Sequence, residues 1–169
     1  ADMGAIFTPW SQGTFIPGGN VSGTWTAARS PYSIGGNITI IAGQTLNISP
    51  GVMVLFQGQY KLTIQGLLHA NGAINDSIVF TAADTSMGWH GLHFLNSGSN
   101  GSSLTYCLIE HGKAPGVSPD SEACGGGIYC DHSSPIISHC SFMGNEATLN
   151  GGGIACFVAS PTIQNCDFS

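Results

Sequence analysis

Two groups of histidines and carboxylates in the middle of the chain could do chemistry. His90 and His93 lie close together, and Glu110 is followed directly by His111. Imidazole and carboxylate groups together suit zinc and similar ions. However, the apolar residues on both sides of His93 are expected to face a core, which turns His93 outward onto a solvated sheet face. We therefore interpret these histidines as surface residues and predict neither a metal site nor a cofactor.

The carboxylates are not spaced for hydrolysis of a glycosidic bond. Inverting hydrolysis requires two carboxyl groups held roughly 6.5 to 9.5 Å apart, one of them acting as the acid. The acidic residues near strand-like segments are instead scattered along the chain: Asp84, Glu110, Asp131 and Asp167. An elimination reaction would need a base beside the substrate carboxylate, and the basic residues are equally scattered: Arg29, Lys61 and Lys113. The sequence therefore predicts no catalytic residues.

Aromatic residues are the better candidates for binding a sugar, because exposed rings act as stacking platforms. Trp89, Tyr106 and Tyr129 could serve in this way, since strand alternation places Tyr129 outward and Tyr106 falls at a predicted corner. His111 and Asp120 lie in a predicted loop insertion. These five residues form the candidate glycan-binding site. The alternative is that each ring only covers the neighbouring repeat.

The six cysteines fall into two columns and one isolated position. The columns are Cys107, Cys140 and Cys166 in one ladder and Cys130 and Cys156 in the other. All five are expected at inward positions, where a thiol acts as a small hydrophobic group. Regular in-register strands do not favour the disulfide dihedral near 90°, so we predict stacked core thiols. Cys124 lies off both ladders and is the cysteine expected to react or pair.

The elements that would position these residues are the short strands of a repeat. Gly-Gly-Gly-Ile occurs at residues 125–128 and 151–154, and the residues that follow match at an offset of 26. Upstream, apolar residues match at an offset of 24, namely Ile38 and Ile40 with Leu62 and Ile64, and Val54 and Phe56 with Ile78 and Phe80. The strands alternate apolar and polar residues between Gly, Asn, Ser and Pro, and no segment has helical spacing. This period predicts a parallel β-helix.

The predicted fold class is therefore all-β, a solenoid of about five coils over residues 19–169 with an incomplete last coil. Residues 1–18 are expected to be a linker or the tail of a preceding module, together with an N-terminal cap. Asn165, and His139 and Tyr106 in earlier coils, fall at one corner that requires a left-handed backbone, which Asn tolerates. Extra residues accumulate at 111–124 and 82–90, and such insertions in solenoids often mark the binding face.

Several phrases resemble those of a known family. They are residues 36–46 (GNITIIAGQTL), 49–52 (SPGV), both copies of GGGI, and 160–168 (SPTIQNCDF). They resemble the right-handed parallel β-helix proteins of secreted and surface-attached bacterial polypeptides, the pectate-lyase-like fold in its short-repeat form. Residues 142–145 (FMGN) with the GG-x-I copies are also similar to paired motifs of autotransported surface proteins. The resemblance implies a right-handed β-helix. Its members include polysaccharide lyases and glycoside hydrolases, but it implies no particular activity here.

Charge narrows the range of partners. Three basic residues against nine acidic ones give a net charge of −6, which argues against binding nucleic acid. No apolar run approaches the roughly 18 residues of a membrane span. We expect a non-catalytic, secreted or cell-surface structural module: a rigid spacer, an adhesin or a fibre subunit that self-associates through open coil ends. The sequence is also expected to be an excerpt of a longer modular protein. The alternative is a carbohydrate-active domain that binds or cleaves a polysaccharide near Trp89, His111 and Asp120.

Overall fold

The structure, a computed structural model, describes residues 13–117 and 120–169 of the chain. Nearly all regular elements in these residues are short strands. They are β1 (Thr14–Ile16), β2 (Gly19–Asn20), β3 (Gly23–Trp25), β4 (Tyr32–Ile34), β5 (Ile38–Ile40), β6 (Thr45–Ile48), β7 (Met53–Phe56), β8 (Leu62–Ile64), β9 (Leu67–Asn71), β10 (Ile78–Ala82), β11 (Leu92–Leu95), β12 (Ser103–Thr105), β13 (Cys107–Glu110), β14 (Lys113–Ala114), β15 (Ile128–Asp131), β16 (Ile136–Ser138), β17 (Ser141–Met143), β18 (Glu146–Ala147), β19 (Ile154–Phe157), β20 (Thr162–Gln164) and β21 (Asp167–Phe168). The α-helix α1 spans Asp120–Ala123, and single-turn 3₁₀ helices span Ala27–Arg29 and Ser97–Ser99.

The strands form three main parallel sheets that the chain enters in rotation. Sheet A has the order β1-β4-β7-β10-β13-β17-β21, sheet B β2-β5-β8-β11-β15-β19, and sheet C β3-β6-β9-β12-β16-β20. A fourth, two-stranded sheet pairs β14 with β18. We call one passage through sheets A, B and C a rung. The predicted all-β class is confirmed, and its sheets are parallel.

The described residues contain six complete rungs followed by β21, where the sequence predicted about five. The first rung begins at β1, which pairs with β4 from Thr14 onward. This strand lies inside the segment 1–18 that was expected to be a linker and cap. The rest of that expected segment, residues 1–12, lies outside the described residues. Among the residues that the structure describes, no helix is long and apolar enough to cross a membrane.

Inward-facing side chains of successive rungs form a single apolar core. In sheet B, Ile40 pairs with Ile64, Ile64 with Phe94, and Phe94 with Cys130, and all four are fully buried. Because side chains alternate between the two faces of a strand, every second residue of each strand enters this core. Burial of such apolar surface is the main favourable contribution to folding. The sheet B alignment that the sequence predicted is confirmed.

In sheet A, the predicted register is wrong at one step, between β7 and β10. The sequence aligned Val54 with Ile78, whereas in the structure Val54 pairs with Phe80 and Phe56 with Ala82. The true offset between β7 and β10 is therefore 26 residues instead of 24. A slip of two residues leaves the same face of a strand inward. Alternation alone cannot distinguish the two registers.

Corners between the sheets are built by residues with a left-handed backbone. Tyr106, His139 and Asn165 lie between sheets C and A of successive rungs, with φ of 48°, 53° and 50°. The predicted left-handed corner is therefore confirmed for all three. A second corner, after sheet B, has His132 at φ 52° and Val158 at φ 48°. Left-handed conformations are uncommon for residues other than Gly, Asn and Asp, and more so for a β-branched residue.

The two Gly-Gly-Gly-Ile segments stack directly on each other. Gly127 N donates to Gly152 O at 2.9 Å, and Ile128 N donates to Gly153 O at 2.9 Å. A Cβ on Gly126 would overlap the carbonyl oxygen of Glu146, so only glycine permits this approach. The interpretation that these glycines mark a corner where neighbouring rungs approach closely is confirmed.

Candidate functional site

The longest departure from the repeat lies in the fifth rung, between β13 and β15. It contains β14 and α1, and we call residues 111–124 the inserted segment. Its loop is closed by a hydrogen bond from Gly116 N to Glu122 O at 2.7 Å. It is also held to the fourth rung, because Lys113 N donates to Trp89 O at 2.6 Å. The insertion that the sequence predicted at this point is confirmed.

One acidic side chain holds α1 to the body of the protein. Glu122 Oε1 lies 2.5 Å from Lys61 Nζ, and Glu122 Oε2 lies 3.5 Å from His90 Nδ1. We call Lys61, His90, His93 and Glu122 the Glu122 cluster. Burial acts to raise the pKa of Glu122, but the hydrogen bond and positive charge of Lys61 outweigh it, so this pKa is lowered. The carboxylate therefore stays charged at neutral pH.

The two histidines of the Glu122 cluster are buried and neutral. His93 donates its Nε2–H to the carbonyl oxygen of His90 at 2.8 Å, and it is 2% exposed. Burial, followed by the neighbouring His90 imidazole and the charge of Lys61, lowers the pKa of His93 to about 4. Burial also lowers the pKa of His90, against the attraction of Glu122. The buried Nε2 of His90 has no hydrogen-bond partner among the described residues.

This arrangement suits a structural contact better than catalysis. Both imidazoles are buried, so a substrate has no direct access to their ring nitrogens. Within residues 13–117 and 120–169, no group of three or more His, Cys, Asp or Glu side chains is placed to hold a metal ion. The Glu122 cluster is therefore a polar clasp that fastens the inserted segment to the residues just before β8 and β11 of sheet B.

The exposure predicted for His93 and Tyr129 is wrong. Both side chains lie opposite each other on β11 and β15, on the outward side of sheet B as alternation predicted. However, His93 is 2% and Tyr129 only 4% exposed, and their rings lie 5.6 Å apart at the centroids. The ring of His93 also lies 5.2 Å from that of His90, and His90 in turn contacts Glu122 of the inserted segment. Tyr129 therefore offers no open stacking platform.

Trp89 is also buried, contrary to its proposed role as an exposed ring. It is 0% exposed and stacks on Phe56 at 4.3 Å and beside Phe80 at 6.3 Å. Its indole Nε1–H donates to Glu110 O at 2.8 Å. The polar atom of the ring is therefore satisfied inside the core. Trp89 contributes packing between rungs.

The other candidate glycan-binding residues lie at separate places. Tyr106 is half-buried at the corner between sheets C and A and stacks on His139 at 4.8 Å. His111 is half-buried at the corner after β13, with φ 56°. Asp120 begins α1, and its side chain lies outside the described residues. The structure thus does not assemble these residues into one exposed platform, and glycan binding stays a prediction.

The cysteine columns align as neighbours in the sheets. Cys130 pairs with Cys156 in sheet B, and the thiol of Cys140 hydrogen-bonds with those of Cys107 and Cys166 beside sheet A. All six cysteines are free thiols. Cys124, expected to be the reactive one, is 5% exposed, while Cys156 is exposed.

An exposed apolar surface lies at one end of the three sheets. We call β19, β20 and β21 the end strands, because each is the last strand of its sheet. Ile163 and Phe168 on these strands are 42% and 54% exposed, whereas Ile137 and Phe142, their partners one rung earlier, are 0% and 1% exposed. The end strands therefore present core side chains without a covering layer.

Comparisons with known proteins do not add to these observations. No protein-family model matches the chain, and no curated protein or solved structure gives a significant match. The likeness to β-helix proteins therefore depends on the sequence phrases and the strand pairing alone.

Proposed function

We propose that the chain is a right-handed parallel β-helix of the pectate-lyase-like type and serves as a non-catalytic structural module of a secreted or cell-surface protein. In this proposal, its end strands stack on the first rung of a second copy, and the modules assemble end to end. The exposed apolar layer on the end strands is the observation that carries the proposal.

The strand pairing supports the β-helix. From β1 to β10, each strand pairs with the strand three places further along the chain, and the same rotation continues through β21 once β14 and β18 are set aside. A path of this kind around one apolar core is the arrangement of a solenoid. The right hand follows from the strong preference of parallel strands for right-handed crossovers.

The end strands are suited to accept another rung. Each pairs on one side only among the described strands, so its other edge can extend the sheet with backbone hydrogen bonds. Natural sheets usually protect such edges with lysines or prolines. The end strands read IACF, TIQ and DF, with Asp167 as their one charged residue. Protection of this kind is therefore weak.

A second copy provides the complementary surface. Its strands β1, β2 and β3 lie at the opposite ends of sheets A, B and C, and its β1 can extend sheet A beyond β21 in the same parallel direction. Burying the exposed part of Ile163 or Phe168, about half of each side chain, contributes on the order of 1 kcal/mol. The net charge of −6 acts against association, and salt screens this repulsion. Association should therefore strengthen between low and moderate salt.

Sedimentation velocity over a wide range of protein concentrations tests the proposal. The natural chain should form larger species as concentration rises, and Ile163→Asp should remain a monomer because a charge enters the apolar layer. Ile136→Asp is the matched control, since Ile136 lies on the neighbouring strand β16, faces outward and is 52% exposed. It should associate like the natural chain.

Two results would contradict this proposal. One is a natural chain that stays monomeric at every concentration. The other is an equal loss of association in Ile136→Asp and Ile163→Asp, which would show that general surface charge is responsible. Circular dichroism of both variants checks that the sheets are intact.

A further inference from the structure

We draw no further inference here: the strongest candidate, the buried Nε2 of His90 in the Glu122 cluster, which has no hydrogen-bond partner among the described residues, belongs to the site already described, and nothing in the structure shows which ligand it would bind.

Discussion

Acid should weaken the fold through the buried His93. In the folded chain the pKa of His93 is about 4, lowered mainly by burial, whereas an unfolded chain has a histidine pKa near 6.5. The unfolded state therefore binds a proton more readily between these two values. Stability from this residue is complete above pH 6.5 and is lost as pH falls towards 4.

The size of the effect follows from the shift between the two pKa values. Linkage gives a loss of about 2 kcal/mol at pH 5 and about 3 kcal/mol at pH 4 from His93 alone. Its ring faces His90, Tyr129 and the charges of Lys61 and Glu122. His90 adds to the loss in the same direction, because burial lowers its pKa as well. Protonation of Glu122 at lower pH weakens the clasp to Lys61.

Urea unfolding at pH 7.5, 5 and 4 measures this effect. The variant His93→Gln keeps a hydrogen-bond donor but does not titrate, so its stability should fall by about 2 kcal/mol less than that of the natural chain between pH 7.5 and 5. His132→Gln, at a histidine whose side chain is 59% exposed, controls for the removal of a histidine. If His93→Gln and the natural chain lose the same stability, burial of a neutral imidazole is not the cause.

Two further substitutions test the backbone of the corners. Val158 is β-branched, has φ 48° and is 68% exposed. Val158→Gly should therefore raise the free energy of unfolding, measured with urea, by about 1 kcal/mol. An unchanged or lower free energy of unfolding would argue against strain at this corner. Gly126→Ala should destabilise by at least about 2 kcal/mol, because its methyl group meets the carbonyl oxygen of Glu146. Gly43→Ala is the control, because a methyl group at Gly43 meets open space and its φ of +80° costs only about 1 kcal/mol. Equal losses of stability in the two variants would refute the close approach at Gly126.

The repeat could be predicted from the sequence wherever a period fixes the register. The identical Gly-Gly-Gly-Ile copies correctly aligned Ile128 with Ile154 and Cys130 with Cys156. Where no identity guided the alignment, Val54 was placed two residues away from its true partner. Both registers put the same side chains inward. The inward and outward assignment was therefore reliable, while the exact partner was not.

The candidate site could not be predicted because it depends on residues outside the repeat. Alternation correctly turned His93 and Tyr129 away from the core, but exposure depends on what covers the outer face. Glu122 reaches Lys61 across 61 positions of sequence, and no periodicity links them. The insertion itself was visible as extra length near residues 111–124. A signal for its direction was its pair of acidic residues, Asp120 and Glu122, in a chain with only two lysines, Lys61 and Lys113.

Aromatic side chains in this fold contact rings in neighbouring rungs, which favours packing over sugar binding. Trp89 lies against Phe56 at 4.3 Å and Tyr106 against His139 at 4.8 Å. Phe142 and Phe168 stack at 4.7 Å with an angle of 7° between their planes. Phe168 nevertheless remains 54% exposed, because no ring follows it among the described residues. These contacts between rings of neighbouring rungs account for the positions of Trp89, Tyr106 and Phe142 without a bound sugar.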